Sequence, residues 1–421
     1  MVEHGPAGFH ERIGIWALAA ANGISQLGNT LTFLAVPWFV LQTTGSASRT
    51  GLASATFALA AIVSGLTIGN LIDRVGYRRM SILADALSGI SVALIPTLYL
   101  LDWLTFWQVL VLIFLGAYFD TPARTARGAL TPALAVLSRM PLERANSILR
   151  VAGVSGDIIL GPALAGTLIV VIGEVNLLFI DAGTFALSIL IVAFLIRLPA
   201  AASQSSDTAA AAESESRLDA FVAGFRFVLR DRVMGVVLPV NLLYSFVLSA
   251  YFGVILAVYV DEHLGNAAYF GVLITTQGVG MLLGTLIYGY FGHRYRRYTL
   301  LLATSPLSAG ALWLFTVPVY YPTDLLAMFL FGMAGGPFSP LMRTIIQERT
   351  PEHLLGRVLN ALFTLVAVAA PLGALTAGIA IDIDAIGLRT VQLAAATLIT
   401  LVPLWFAFAP WPRRVAAEFE R

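Results

Sequence analysis

The sequence contains no cysteine, no lysine and few charges of any kind. Without cysteine there are no disulfides, no thiolate metal sites and no thiol redox chemistry. Without lysine there is no GxxxxGK[ST] loop, which argues against an ATPase. All 25 basic residues are arginine, a bias we attribute to codon usage. The five histidines lack metal-ligand spacing, and no Ser/His/Asp constellation appears, so a membrane enzyme is the weakest class. Charged residues make up 12% of the chain, about half of the ~25% usual in a soluble protein. Much of the surface must therefore face lipid, and the net charge of +1 says little about nucleic acid.

What the chain has is apolar length. It is 58% hydrophobic, with a mean hydropathy of +0.85. A membrane span needs about 20 mostly apolar residues. Twelve segments qualify: 13–42, 50–72, 80–101, 106–134, 145–172 and 176–196, then 234–260, 269–291, 299–319, 324–347, 354–381 and 385–409. The first is far longer than the apolar region of a signal peptide and reads as a retained span. The expected fold is an all-α membrane protein with two six-helix bundles.

Arginine sets the orientation. With a cytoplasmic N-terminus, only Arg49 and Arg389 lie outside, and every other arginine is on or near the inner side. Both termini are therefore expected in the cytoplasm. The stretch 200–216 is rich in Ala, Ser and acids, has no apolar period, and reads as a flexible linker. The next stretch puts Leu218, Phe221, Val222, Phe225, Val228 and Leu229 on one helical face. It is either an interfacial amphipathic helix or an extension of the following span. The expected domains are 1–199, a linker with helix at 200–232, and 233–421.

The halves repeat weakly. Gly45, Gly51 and Gly69 match Gly265, Gly271 and Gly289 at a constant offset, and "MPLERANSI" at Pro141 echoes "TPEHLLGRVL" at Pro351. Two such halves are the plan of parallel-repeat transporters, with the substrate at their interface.

The loop between spans two and three reads Gly69-x-x-x-Asp73-Arg74-x-Gly76-x-Arg78-Arg79. In letters and position it resembles the loop 2–3 signature of the major facilitator superfamily, departing at Tyr77, where a basic residue is more usual. The resemblance implies that Asp73 faces the N-terminus of span eleven, "RTPEHLLGRV". There Thr350 is the expected N-cap and Pro351 lies in the first turn. An anion at a helix N-terminus gains roughly 0.3–1 kcal/mol, enough to latch a gate. Span five carries "GDIILGPALAG", with Gly156, Gly161 and Pro162. This resembles the antiporter signature of drug exporters, with Ala165 in place of a glycine.

Asp157 sits most centrally of the intramembrane acids, and such a carboxylate is costly unless protonated or paired. It is the expected proton carrier, with Asp120 and then Asp181 behind it. Asp120 and Arg124 are four apart and can pair on span four, with Arg127 a turn beyond. In the family an arginine in this helix supports proton exchange and the closed cytoplasmic gate. Asp85 and Asp181 fall near span ends by this count, which suits snorkelling or capping. The cavity is expected to use Asn22, Gln26, Asn29, Asn241, Tyr244, Tyr251 and Gln277 amid apolar and aromatic walls, suiting lipophilic solutes.

"DTPARTARGALTP…LERAN" with "IQERTPEHLLGRV" resembles the branch of macrolide-efflux proteins and the enterobactin exporter. The implied function is proton-coupled export of lipophilic compounds such as antibiotics, by a monomer in the inner membrane. It uses a proton gradient and no cofactor. Export of a siderophore or lysolipid, or uncoupled lipid scrambling, are the alternatives.

Overall fold

Helix α3 (Tyr77–Leu100) shows how these segments are built. Leu83, Leu87, Ile90 and Leu94 recur every three or four residues and are exposed, while Ser81, Asp85, Ser88 and Ser91 on other faces are buried. Apolar outside and polar inside is the inverse of a soluble helix, and it fits a lipid surround. This is seen in a computed structural model that describes residues 9–67, 72, 74–196, 217–317 and 320–408.

The helices of the first half are α1 (Phe9–Thr44), α2 (Ala47–Thr67), α3, α4 (Phe106–Leu137), α5 (Leu142–Ile172) and α6 (Glu174–Leu195). The second half has α7 (Arg217–Arg230), α8 (Met234–His263), α9 (Ala267–Phe291), α10 (Arg297–Leu314), α11 (Tyr321–Arg349), α12 (Glu352–Ile381) and α13 (Gly387–Phe408). Among the described residues there is no strand. Eleven of these helices are long and apolar enough to cross a membrane. The ninth expected crossing is α10, whose 18 residues include Arg297, Thr299, Thr304, Ser305 and Ser308 and so fall short in hydropathy.

The chain divides into two compact units, Met1–Phe39 with Thr56–Glu213, and Val40–Ala55 with Ser214–Arg421. In the first unit α3 packs on α4 and α6, and in the second α10 packs on α11 and α13. These are equivalent positions in the two halves. The repeat extends to backbone detail. Gly45 and Gly265 both turn the chain at positive φ, 62° and 61°. Pro141 and Pro351 precede their helices with matching angles, φ −56°, ψ 137° and φ −53°, ψ 140°.

Three expectations change. Asp85 and Asp181 are not near span ends: they lie in the third turns of α3 and α6 and are fully buried. Both helices start close to where the apolar count placed them, but a count of apolar length cannot show which neighbours enclose a side chain. Thr350 does not cap α12. Pro351 holds the cap position, and the buried Thr350 hydroxyl has no hydrogen-bond partner among the described residues. Helix α7 is not continuous with α8. Gly224 lies against the Arg357 backbone and Val228 is buried, while Val222 and Leu229 stay exposed. Asp231 then breaks the helix by accepting from the amides of Val233 and Met234 at 2.9 and 3.0 Å, and it holds Arg349 at 2.9 Å. The linker 200–216 lies outside the described residues.

Candidate functional site

Helix α1 is the polar spine of the first unit. Asn22, Ser25, Asn29 and Thr32 follow one another at three- and four-residue steps and share a face, with Thr30 beside them. Each intramembrane acid of this unit bonds to that spine, directly or through an arginine.

The deepest group is an ion pair. Arg127 of α4 reaches both carboxylate oxygens of Asp85 at 2.9 and 2.7 Å, and neither side chain is exposed. Ser188 of α6 donates to Asp85 at 2.7 Å. The remaining guanidinium donors go to Ser25 at 3.1 Å and Asn22 at 3.4 Å on α1. A buried pair survives desolvation only with good geometry and satisfied donors, and residues of four helices supply them here.

Asp181 is equally buried but differently served. It accepts from the hydroxyls of Thr32 and Thr184, the latter at 3.1 Å, and has no cation partner among the described residues. A charge there is uncompensated, and a bound proton removes it. Gly28 makes room for this contact: a Cβ would lie 2.1 Å from the Asp181 carboxylate. Asp120 accepts from Asn29 at 2.6 Å and lies 3.7 Å from half-exposed Arg124. A cavity of about 10 Å³ adjoins Asn29 and Thr32, room for about one water.

Asp157 lies on a π-helical segment, Ser155–Leu160, inside α5. Pro162 lacks the amide that would bond back to Ile158, and the helix widens just before it. Gly156 and Gly161 let this segment press on α1, since a Cβ would meet the Gly23 carbonyl at 2.6 Å and Thr30 at 2.7 Å respectively. Asp157 then accepts from Thr30 at 2.9 Å, but its side chain is exposed.

Of the loop signature, Gly69 and Asp73 lie outside the described residues. Gly76 turns the chain at φ 85°. Arg78 donates to the carbonyls of Ala193, at 2.6 Å, and Val192, near the end of α6. That is a favourable place for a cation. Arg74 and Arg79 are exposed.

The expected cavity residues divide. Asn22 and Asn29 are committed to the α1 network, and Gln26 is half-buried beside them. Those of the second unit are scattered. Asn241 bonds its own helix at 2.9 Å and lines a pocket of about 180 Å³ with Phe338, Met342, Arg343 and Phe363. Tyr244 stacks on Phe338 at 4.7 Å. Tyr251 is in the core, its hydroxyl unpartnered among the described residues. Gln277 is half-buried where α9 meets Gly332 of α11.

Sequence reasoning did not single out one arrangement in the second unit, to which Val40–Ala55 belongs. Asp382, just past α12, accepts from the amides of Ala47 and Ser48 at 2.8 and 2.9 Å and from the Ser46 hydroxyl at 2.7 Å. It thus caps the N-terminus of α2 from a position 335 residues away. Partial burial raises its carboxyl, but the hydrogen bonds from Ser46, Ser48 and Ala47 outweigh that and hold it below its ordinary value. Nearby, Gln42 donates to Asp261 at 2.6 Å. The only local sign in the sequence was an acid in an outer loop.

The sequence matches the family described as the Major Facilitator Superfamily over residues 18–259 and 237–420. It is 31% identical over 388 residues to the multidrug efflux pump Tap of Mycolicibacterium fortuitum, covering 91% of this chain and 92% of that protein. It is 24% identical over 409 residues to macrolide efflux protein A of Streptococcus pyogenes, covering 93% and 95%. Its fold is similar to a crystal structure of the nucleoside transporter NupG, with a TM-score of 0.78, 14% identity, and coverage of 93% of this chain and 98% of that one.

Proposed function

We propose that this chain, which belongs to the Major Facilitator Superfamily, exports lipophilic or amphipathic small molecules by exchanging them for protons. It is a multi-pass membrane transporter and not an enzyme. Export is favoured by its similarity to multidrug and macrolide efflux proteins. Proton coupling is favoured above all by Asp181, a fully buried carboxylate answered, among the described residues, only by hydroxyls.

On this reading Asp181 takes the place we expected Asp157 to fill, because Asp157 is exposed. Protonation of Asp181 removes a charge from a dry site and gives it a donor of its own. The Thr32 hydroxyl no longer has to donate, which loosens α1 from α6. Because α1 also holds Arg127, Asp120 and Asp157, that change is felt by each of their helices. A proton can thus bias which packing of the helices is favoured. The pocket around Asn241, apolar but for Asn241, Ser339 and Arg343, suits amphipathic solutes. Arginine placement supports both termini in the cytoplasm, and similarity to bacterial efflux proteins favours the inner membrane; on this reading the protein works as a monomer.

The test is transport by purified protein in proteoliposomes under an imposed pH gradient, with a panel of lipophilic compounds. Gradient-dependent accumulation of one or more compounds is expected. Transport that ignores the gradient would remove the coupling and leave a uniporter or scramblase.

A further inference from the structure

One rim of the second unit holds a cavity of about 330 Å³ between the end of α8, the end of α10 and the start of α13. That volume is in the range of small-ligand sites. Its lining is aromatic: Tyr259 stacks on His263 at 5.0 Å and meets Phe315 at a tilt, 4.6 Å between ring centres, and its hydroxyl is tied to Asp324 at 2.8 Å. Val317, Ile386 and Leu388 add apolar wall.

Two opposite charges line this cavity. Arg389 sits in the first turn of α13, a 22-residue helix, and Glu262 in the last turn of α8. The first-turn amides of a helix point outward with no intrahelical partner, which favours an anion there. One turn further, Gln392 also lines the cavity. It is 5% exposed, and its side-chain nitrogen has no hydrogen-bond partner among the described residues. A buried donor left unpaired costs about 1–3 kcal/mol, so a ligand acceptor reaching it would be favoured. Val317 in the lining is exposed, as are Trp313, Tyr320 and Ile383, each within a few residues of the lining in the chain, residue types found at the headgroup level of a bilayer.

We propose that this cavity binds the headgroup of an aminophospholipid, of the phosphatidylethanolamine type. The phosphate is held by Arg389, the Gln392 amide and the first-turn amides of α13 beyond Gly387, whose own N–H donates to Ile383 at 3.1 Å. The ammonium is held by the Glu262 carboxylate beside the Tyr259 ring, and the acyl chains lie along the exposed apolar rim. A purely anionic lipid leaves Glu262 unanswered and repelling. A choline headgroup offers Glu262 no N–H donor. On the orientation proposed above, the site faces the outer leaflet. It does not depend on what the protein transports, so failure of the export reading leaves it intact.

The experiment is native mass spectrometry of the full-length protein in detergent, titrated with phosphatidylethanolamine, phosphatidylglycerol or phosphatidylcholine. Wild type should prefer phosphatidylethanolamine by about tenfold, the effect of one charge-assisted hydrogen bond. Arg389→Gln should weaken all three lipids, since each carries the phosphate. Glu262→Gln should bring phosphatidylethanolamine down to the level of phosphatidylglycerol without weakening the latter. Gln392→Leu should weaken all three while raising thermal stability, a divergence that a purely structural role does not produce. An unchanged preference for phosphatidylethanolamine in Glu262→Gln, or no loss of binding in Arg389→Gln, overturns the site. Displacement of the lipid by soluble phosphoethanolamine at comparable concentration overturns the membrane source.

Discussion

The two units share a plan and differ in what they bury. The first encloses an ion pair, Asp85 with Arg127, and a second carboxylate, Asp181, deep among α1, α3, α4 and α6. The second encloses aromatic and aliphatic side chains, and its buried acid, Asp324, lies in the first turn of α11 against a tyrosine hydroxyl. Helix packing alone does not demand the first arrangement, since a buried pair is often no more stabilising than apolar residues of the same volume. Among the described residues it occurs in one repeat and not in the other, and the function proposed above accordingly places proton chemistry in the first unit and apolar solute contacts in the second.

The largest expected effect would break that division outright. Asp181→Asn should keep substrate binding and abolish uphill, gradient-driven export in proteoliposomes, while Asp157→Asn should retain a measurable gradient response. The reverse ranking would return the proton to α5. Next is stability. Arg127→Met leaves Asp85 buried without its cation and should cost about 3–5 kcal/mol, read as a fall in melting temperature in detergent. Asp85→Leu combined with Arg127→Met should recover much of it. The matching change in the second unit, Asp324→Asn, should cost only about 1 kcal/mol.

Smaller effects sharpen the contrast. Gly28→Val forces a side chain into the Asp181 carboxylate and should destabilise by roughly 1–3 kcal/mol. The Asp382 cap should be worth about 1 kcal/mol. Because its carboxyl is held below its ordinary 3.8, the contribution is complete above that pH and is lost as the pH falls through the lowered value. A spectroscopic distance between labels at Thr44 and Asp384 should therefore hold steady from pH 7 to 5 in wild type and lengthen in Asp382→Asn at every pH. Lengthening of the wild-type distance already at pH 5 would contradict the assignment. The smallest effect concerns the chain joining the halves. Cleavage within 200–216 by limited proteolysis should come first and leave two membrane-embedded fragments.

Much of the architecture was legible because lipid is a strict solvent. A span must be apolar and about 20 residues long, so α2, α6 and α9 stand out by composition alone. The repeat was legible too: the glycines matched between the halves include Gly45 and Gly265, which turn the chain with the same φ. The site was legible only in its ingredients. Asp157, Asp120, Asp181 and Arg127 were all singled out, but their ranking followed position along a span. Asp85 was set aside, although Ser81, Asp85 and Ser88 stand opposite a stripe of leucines on α3, a sign that this face turns inward.

By itself the sequence determined that this chain crosses a membrane many times, in two repeated halves, with few charges free to act. Those properties are local: each follows from the apolar length of a segment, the arginines beside it or a glycine or proline at its end. Only the tertiary structure decided which charges act together. Arg127 meets Asp85 42 residues away, and Thr32 meets Asp181 149 residues away. Whether a carboxylate is paired, hydrated or stranded depends on helices that approach it from elsewhere in the chain, and no window of sequence contains them.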